Sequence, residues 1–184
     1  MAGLREGSSN LDGATAVAVR RVLVAGVGNV LRGDDGFGPA VIHELEAAGD
    51  LPAGVRTVET GIGGIGLVLE LLDGYDALII VDAIDRDGVP GSLYVLEPQV
   101  PQVADFTGLE RRELASDMHQ AVPGHVLLIA RAAGVLPPTV RFVGCQPAET
   151  ETFSTELSQP VQQAIPAAVE AILSLLTNVD GHDG

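Results

Sequence analysis

The sequence holds a single cysteine, Cys145, so no intramolecular disulfide is available and a stapled, secreted fold is not implied. Tryptophan is absent, and four Phe with two Tyr are the only aromatics in 184 residues. A core of any size therefore has to come from Val, Leu, Ile and Ala. Cations are scarce: 10 Lys+Arg stand against 25 Asp+Glu, a formal charge of −15. A surface that acidic repels a phosphate backbone and excludes general nucleic-acid binding. No window approaches the run of about 18 apolar residues needed to cross a bilayer. Met1 to Val19 carries no cationic stretch followed by an apolar core of signal-peptide length. What is present is a chain that is 46% hydrophobic with a mean hydropathy of +0.31. That is too apolar for disorder throughout and the right size for one domain. These bounds suit a cytoplasmic α/β domain.

Strand and helix patterns alternate along the chain. Residues 1–20, rich in Gly, Ser, Ala and Asn, read as a flexible arm, 21–177 as a single α/β domain, and 178–184 as a disordered tail. Arg21 to Gly26 is a short apolar run closed by glycine, the pattern of a buried strand. Gly38-Pro39 opens a helix over 40–48 with Val41, Ile42 and Leu45 on one face, Pro39 suiting the first helical position. Val55 to Glu59 alternates as a second strand, and Gly61-Ile-Gly-Gly-Ile-Gly66 leads into a helix over 67–72. Ala77 to Val81 is the strongest strand and ends on Asp82. Ser92 to Glu97 forms another; the 83–90 link is short for a helical crossover, which predicts an antiparallel edge strand. Residues 98–122 lack a period and read as a long functional loop. A helix over 125–133, a strand over 139–143 and a helix over 159–176 follow, with Pro166 expected to kink or divide the last. The alternation predicts a three-layer α/β/α sandwich around a mostly parallel sheet.

Open α/β sheets gather their sites outside the carboxyl ends of the strands. Acids fall at three such ends: Asp34-Asp35 after the first strand, Glu59 on the second and Asp82 on the third. Helix caps and strand ends also attract acids for solvation alone. Asp82 stands apart, because the apolar run before it would bury an ionised carboxylate that then needs a partner or a metal. Gly26 and Gly28 fit a dinucleotide fingerprint, but its third position is Leu31 and no strand-ending acid follows about 20 residues on. The glycines instead suit tight turns and close backbone approach. Of four histidines, His43 reads as exposed on the first helix, His182 lies in the tail, and His125 opens a helix as a terminal polar residue. His119, in Ser116-Asp-Met-His-Gln120, sits in the irregular loop ahead of that helix, which can carry it over the sheet end. Asp35, Asp82 and His119 together offer two oxygens and one nitrogen around a partly open site, a set suited to nickel, zinc or a similar divalent ion.

Val22-Leu-Val-Ala-Gly-Val-Gly-Asn-Val-Leu-Arg-Gly-Asp-Asp-Gly-Phe-Gly38 resembles the opening signature of the hydrogenase maturation proteases, which trim the large subunit of nickel–iron hydrogenases. Leu78-Ile-Ile-Val-Asp-Ala-Ile84 resembles the second block of that family, and Met118-His119-Gln120 the third. Val143-Gly-Cys-Gln-Pro147 resembles a block before the closing helix, and the likeness runs from about Arg21 to Leu176. The resemblance implies a twisted, five-stranded α/β/α fold and an endopeptidase that removes a C-terminal extension from the hydrogenase large-subunit precursor. It implies that nickel arrives bound to that substrate rather than serving as a permanent cofactor. It also implies that Asp35, Asp82 and His119 contact the metal, Asp35 at a position that relatives fill with Asp or Glu. Glu59-Thr60-Gly61 departs from the more usual Asp-Gly-Gly, and the N-terminal arm is additional.

Within this expectation two chemistries stay open: a carboxylate acting as general base on water, or the metal polarising the scissile carbonyl. Asp34 is either a second carboxylate beside Asp35 or a turn residue. The glycine loop 61–66 either admits the substrate backbone or only connects strand to helix. Two other classes compete. One is a cysteine peptidase pairing Cys145 with His119 or His125, although a free cysteine after an apolar strand is usually inert packing. The other is a non-catalytic nickel-, nucleotide- or precursor-binding chaperone on the same scaffold. Much of the negative charge, at Glu149, Glu151, Glu156, Asp180 and Asp183, reads as a solubility feature. The expected partner is the precursor, with neither nucleic acid nor membrane.

Overall fold

The computed structural model describes residues 19–49, 51–61, 64–102 and 123–179. Five strands form one sheet: β1 (Val22–Val27), β2 (Val55–Gly61), β3 (Ala77–Ala83), β4 (Leu93–Leu96) and β5 (Thr139–Cys145). Their order is β2-β1-β3-β5-β4. β1 runs parallel to β2 and β3, β3 runs parallel to β5, and β4 lies antiparallel to β5 at the edge. Helices α1 (Phe37–Ala48), α2 (Ile65–Leu71), α3 (Pro123–Ala132) and α4 (Gln159–Val179) cover the two faces. The expected mostly parallel three-layer sandwich, antiparallel edge strand included, is the observed one.

The period-2 alternation of the strands explains the layers. Val22, Val24, Ile79, Val81 and Val143 point to one face, where α1 supplies Phe37, Val41, Ile42 and Leu45 and α4 supplies Val161, Ala168 and Ile172. Leu23, Ala25, Leu78, Ile80 and Phe142 point to the other, against Leu67 and Leu71 of α2 and Val126, Leu127 and Ala130 of α3. Every residue of β1 is buried, as in a central parallel strand covered on both sides. Each fully buried Val, Leu or Ile contributes roughly 1.5–3 kcal/mol.

Three expectations shift. α1 begins at Phe37, preceded by a 3-10 turn over Gly33–Gly36, so Pro39 is its third residue rather than its first. The ring is still tolerated there, because N–H groups in the first turn have no intrahelical acceptor. α4 runs as one helix through Pro166 and is not divided; the apolar stripe from Val161 to Leu176 holds both halves on the sheet. β3 continues one residue past Asp82, so Asp82 lies within the strand rather than at its end. Among the described residues no helix is long and apolar enough to cross a membrane. The expected arm through Ala18, the loop over 103–122 with His119, and the tail from Asp180 lie outside the described residues.

Candidate active site

The chain leaves β1 through α1 to reach β2 at one edge, then crosses back through α2 to β3 on the other side of β1. From β3 onward it builds toward the opposite edge. The two directions part between β1 and β3, and in open α/β sheets a crevice opens at that point, outside the carboxyl ends of the strands. Asp35 follows β1 and Asp82 is the last residue but one of β3, so both reach this crevice.

Glycines let the backbone fold tightly enough to do this. A Cβ on Gly26 would stand 2.6 Å from Ile42 Cγ1 and 2.7 Å from the Gly38 carbonyl, and one on Gly38 would collide with the Val27 and Val81 carbonyl oxygens. The first turn of α1 therefore sits backbone-to-backbone on the ends of β1 and β3. Gly28, at φ +133°, turns the chain where a Cβ would strike the Asp35 carbonyl oxygen and would lie 3.7 Å from Asp82 Oδ1. The glycines thus serve close packing, in line with the failed dinucleotide fingerprint.

The loop after Gly28 fixes Asp35. The Asn29 side chain accepts from the Leu31 N–H at 3.0 Å, an Asx turn. The Asn29 N–H donates to both the Asp35 carbonyl, at 3.2 Å, and Asp35 Oδ2, at 3.0 Å. Partial burial raises the Asp35 carboxyl above its ordinary range; the Asn29 N–H and the Arg32 charge pull it partly back, and Glu151 adds to the rise. Asp82 is 6% exposed and lies opposite Gly144 on β5. Burial pushes its carboxyl up to about 8, the neighbouring Asp35 charge adds to this, and a hydrogen bond from the Ala83 backbone opposes it. Two like charges in one desolvated crevice oppose each other's ionisation, and burial with the Asp35 charge favours the protonated form of Asp82.

The other sequence candidates separate. Asp34, 1% exposed, points away from the crevice chemistry into a nest of donors: Ala148 N–H at 2.8 Å, Glu149 N–H at 3.1 Å, Ser158 N–H at 2.6 Å and Ser158 O–H at 2.8 Å. It is a structural clamp, neither a second site carboxylate nor a simple turn residue. Glu59 is exposed and pairs with His43 Nε2 at 2.7 Å, beside Gly28, Asn29 and Gly61 at a shallow cleft of about 190 Å³. His43 is exposed as expected, but has a partner. Cys145 is fully buried on the α1/α4 face, its thiol pushed up to about 11 by burial first and by the Asp34 charge second. His125 belongs to α3, which covers the opposite face, so a Cys145–His125 pair is excluded by geometry. Among the described residues His125 Nδ1 is buried without a hydrogen-bond partner. No three His, Cys, Asp or Glu among the described residues gather as a metal-holding group; of the expected set only Asp35 and Asp82 are described, and His119 lies outside the described residues.

Sequence reasoning passed over Gln146. It is 4% exposed, and its Oε1 accepts from the Arg86 N–H at 2.8 Å and the Gly88 N–H at 3.1 Å. Its Nε2 donates to Asp85 Oδ1 at 2.8 Å and to the Pro147 carbonyl at 3.4 Å. It therefore pins the loop that leaves β3 just beyond Asp82. A polar residue directly after a buried strand was the available signal, the same one that singles out Asp82.

Comparison with known proteins agrees with the fold and identifies the family. The family model described as hydrogenase maturation protease matches residues 39–175. The hydrogenase expression/formation protein HupD of Rhizobium leguminosarum bv. viciae is 35% identical over 156 residues, 85% of this chain and 74% of that protein. The solved structure of the hydrogenase maturating endopeptidase HybD from E. coli matches with a TM-score of 0.69 at 28% identity, over 86% of this chain and 93% of that one. The hydrogenase 2 maturation peptidase from a Thaumarchaeota archaeon matches with a TM-score of 0.63 at 36% identity, over 86% and 99% respectively. Sequence and fold agree along nearly the whole described domain, and the chain belongs to the hydrogenase maturation protease family, a family of peptidases.

Proposed function

We propose that this chain removes the C-terminal extension of a nickel–iron hydrogenase large-subunit precursor after nickel insertion, and that Asp35, Asp82 and His119 receive the substrate-borne nickel. The observation that carries the reading is the pair of carboxylates at the switch point. Asp82 is buried beside a second acid and has no ion pair among the described residues. Such a pair calls for a cation from outside. His119 lies outside the described residues and joins the set through the sequence resemblance alone.

In this reading nickel is a mark carried by the substrate. Its arrival displaces the proton held on the pair, two carboxylates and an imidazole suit an ion of its softness, and the junction peptide is drawn over the crevice. A pair oxygen not engaged by the metal accepts the proton of the water that attacks the scissile carbonyl, and the amine leaves with a proton returned to it. Incubation of wild type and the Asp35→Ala, Asp82→Ala and His119→Ala variants with nickel-loaded and nickel-free precursor, followed by mass spectrometry, tests each part. Wild type shortens the loaded precursor, and the variants leave it intact. Normal processing by all three variants removes the site assignment. Equal cleavage of loaded and nickel-free precursor removes the nickel role. Binding without shortening identifies a chaperone instead.

A further inference from the structure

Beside Asp82 a cavity of about 440 Å³ opens between the end of β3, β4, β5 and the start of α3. Ala83, Ile84, Leu96 and Phe142 form apolar walls, and Arg86 and Glu97 are its charged members. Glu97 already has a counter-ion, Arg141 Nη1 at 3.1 Å. Arg86 has none among the described residues: its guanidinium lies over the Tyr94 ring, 5.5 Å from the centroid. The adjacent Asp85 carboxylate is turned instead to Gln146 Nε2 at 2.8 Å and the Asp87 N–H at 3.0 Å. Gln146 also holds the Arg86 N–H at 2.8 Å, so this cation is fixed at its root and stacked along its length. In a chain with 25 acids and 10 cations, an arginine without an ion pair among the described residues, on an apolar cavity next to the crevice, fits an anion from another molecule.

We propose that this cavity is a substrate subsite: it takes an apolar side chain of the precursor while Arg86 pairs with the side-chain carboxylate of a neighbouring Asp or Glu. The proposal rests on the peptidase reading above. The precursor chain must continue on both sides of the bond being cut. A residue entering a cavity that starts at Ala83, one position from Asp82, is therefore internal to the peptide, and its carboxylate is a side chain rather than a chain terminus. Arg86 acts as a specificity-determining residue and takes no part in the bond-breaking step.

Steady-state processing of nickel-loaded precursor by wild type, Arg86→Lys, Arg86→Ala and Arg86→Glu tests this. KM rises about threefold for Arg86→Ala and about tenfold for Arg86→Glu, Arg86→Lys stays between them and wild type, and kcat holds within twofold. A second arm replaces each Asp or Glu within ten residues of the junction by Lys, one at a time; at one position Arg86→Glu restores the lost affinity. An unchanged KM in Arg86→Glu, or no position rescued by it, overturns the subsite while leaving the peptidase reading intact. If wild type leaves the precursor uncut, that reading fails on its own. Fluorescence anisotropy of a labelled junction peptide then decides the subsite: weaker binding to Arg86→Glu than to wild type supports it, and equal binding overturns it.

Discussion

Asp34 and Asp82 are both buried carboxylates at the same end of the sheet, 1% and 6% exposed, and the fold treats them in opposite ways. Asp34 meets three backbone N–H groups and one hydroxyl from the 148–158 segment, at 2.6 to 3.1 Å. Asp82 meets one backbone hydrogen bond, at Ala83, and the like charge of Asp35. Burial alone thus does not mark a functional acid; the supply of donors does. A carboxylate surrounded by donors rivets two segments together, here the 3-10 turn and the approach to α4. One left short of donors keeps its proton and its capacity for a ligand.

The largest effect that sharpens this contrast is expected from Asp82→Asn. Processing falls by about 10²- to 10⁴-fold, the range for loss of a group that moves protons in the reaction, while circular dichroism stays native because Asn is nearly isosteric with the protonated acid. The pH dependence of stability carries the same signature. The Asp82 carboxyl titrates at an ordinary 3.8 when unfolded and at about 8 when folded, so the folded state binds more protons between these values. Its contribution is complete below about pH 4 and is lost as pH rises through about 8. Urea midpoints of wild type between pH 4 and 9 should show this decline, and those of Asp82→Asn should lack it. Asp35→Asn removes only part of it, because burial outweighs the Asp35 charge. Full processing by Asp82→Asn would break the comparison.

Asp34→Ala sits on the other side. It leaves three backbone donors and a hydroxyl without their acceptor in a closed site, a loss of about 3 kcal/mol by the cost of orphaned buried groups. Urea unfolding at pH 7 measures it. Processing per folded molecule should fall far less than in Asp82→Asn, and an equal fall would mean that Asp34 belongs to the reaction rather than to the scaffold.

This contrast also marks what the sequence could and could not disclose. Strand periodicity, glycine punctuation and the short 83–90 link are local signals, and they were sufficient for the layers and the antiparallel edge strand. Asp82 was legible because it ends an apolar run that had to be buried. The difference between Asp34 and Asp35 was not, since the partners that occupy Asp34 lie 114 to 124 residues away. Cys145 read as inert packing, and it is buried in the core, but its partners were not legible for a related reason. Its parity with Val143 fixes the face it points to, but which helix covers that face depends on the order of all five strands. Pro166 reads locally as a helix breaker, yet the stripe from Val161 to Leu176 overrides a single missing donor.

Gln146→Ala is expected to cost about 2 kcal/mol, because the backbone N–H groups of Arg86 and Gly88 lose a shared buried acceptor. The site consequence is separable from this. Asp82 stays in its strand, so kcat should change less than KM as the 85–91 loop loosens beside the crevice. Hydrogen exchange confined to the Arg86 and Gly88 amides, with the β3 amides still protected, would confirm that Gln146 acts on the loop alone. Exposure of β3 as well would make it part of the core that holds Asp82.

The smallest effect belongs to Glu59, the fourth acid at this end of the sheet after Asp34, Asp35 and Asp82. It is exposed, and so is the histidine it pairs with, so solvent screens their attraction. Glu59→Gln should change stability by less than about 0.5 kcal/mol, the scale of exposed ion pairs, with kcat within twofold of wild type. Its position beside Gly28 and Asn29 makes this a demanding control, because it is near the crevice without being buried in it. If Glu59→Gln slowed processing as much as Asp82→Asn, proximity to the switch point would matter more than burial with too few donors. If only Asp82→Asn does so, the division drawn between the acids rests on desolvation and hydrogen bonding.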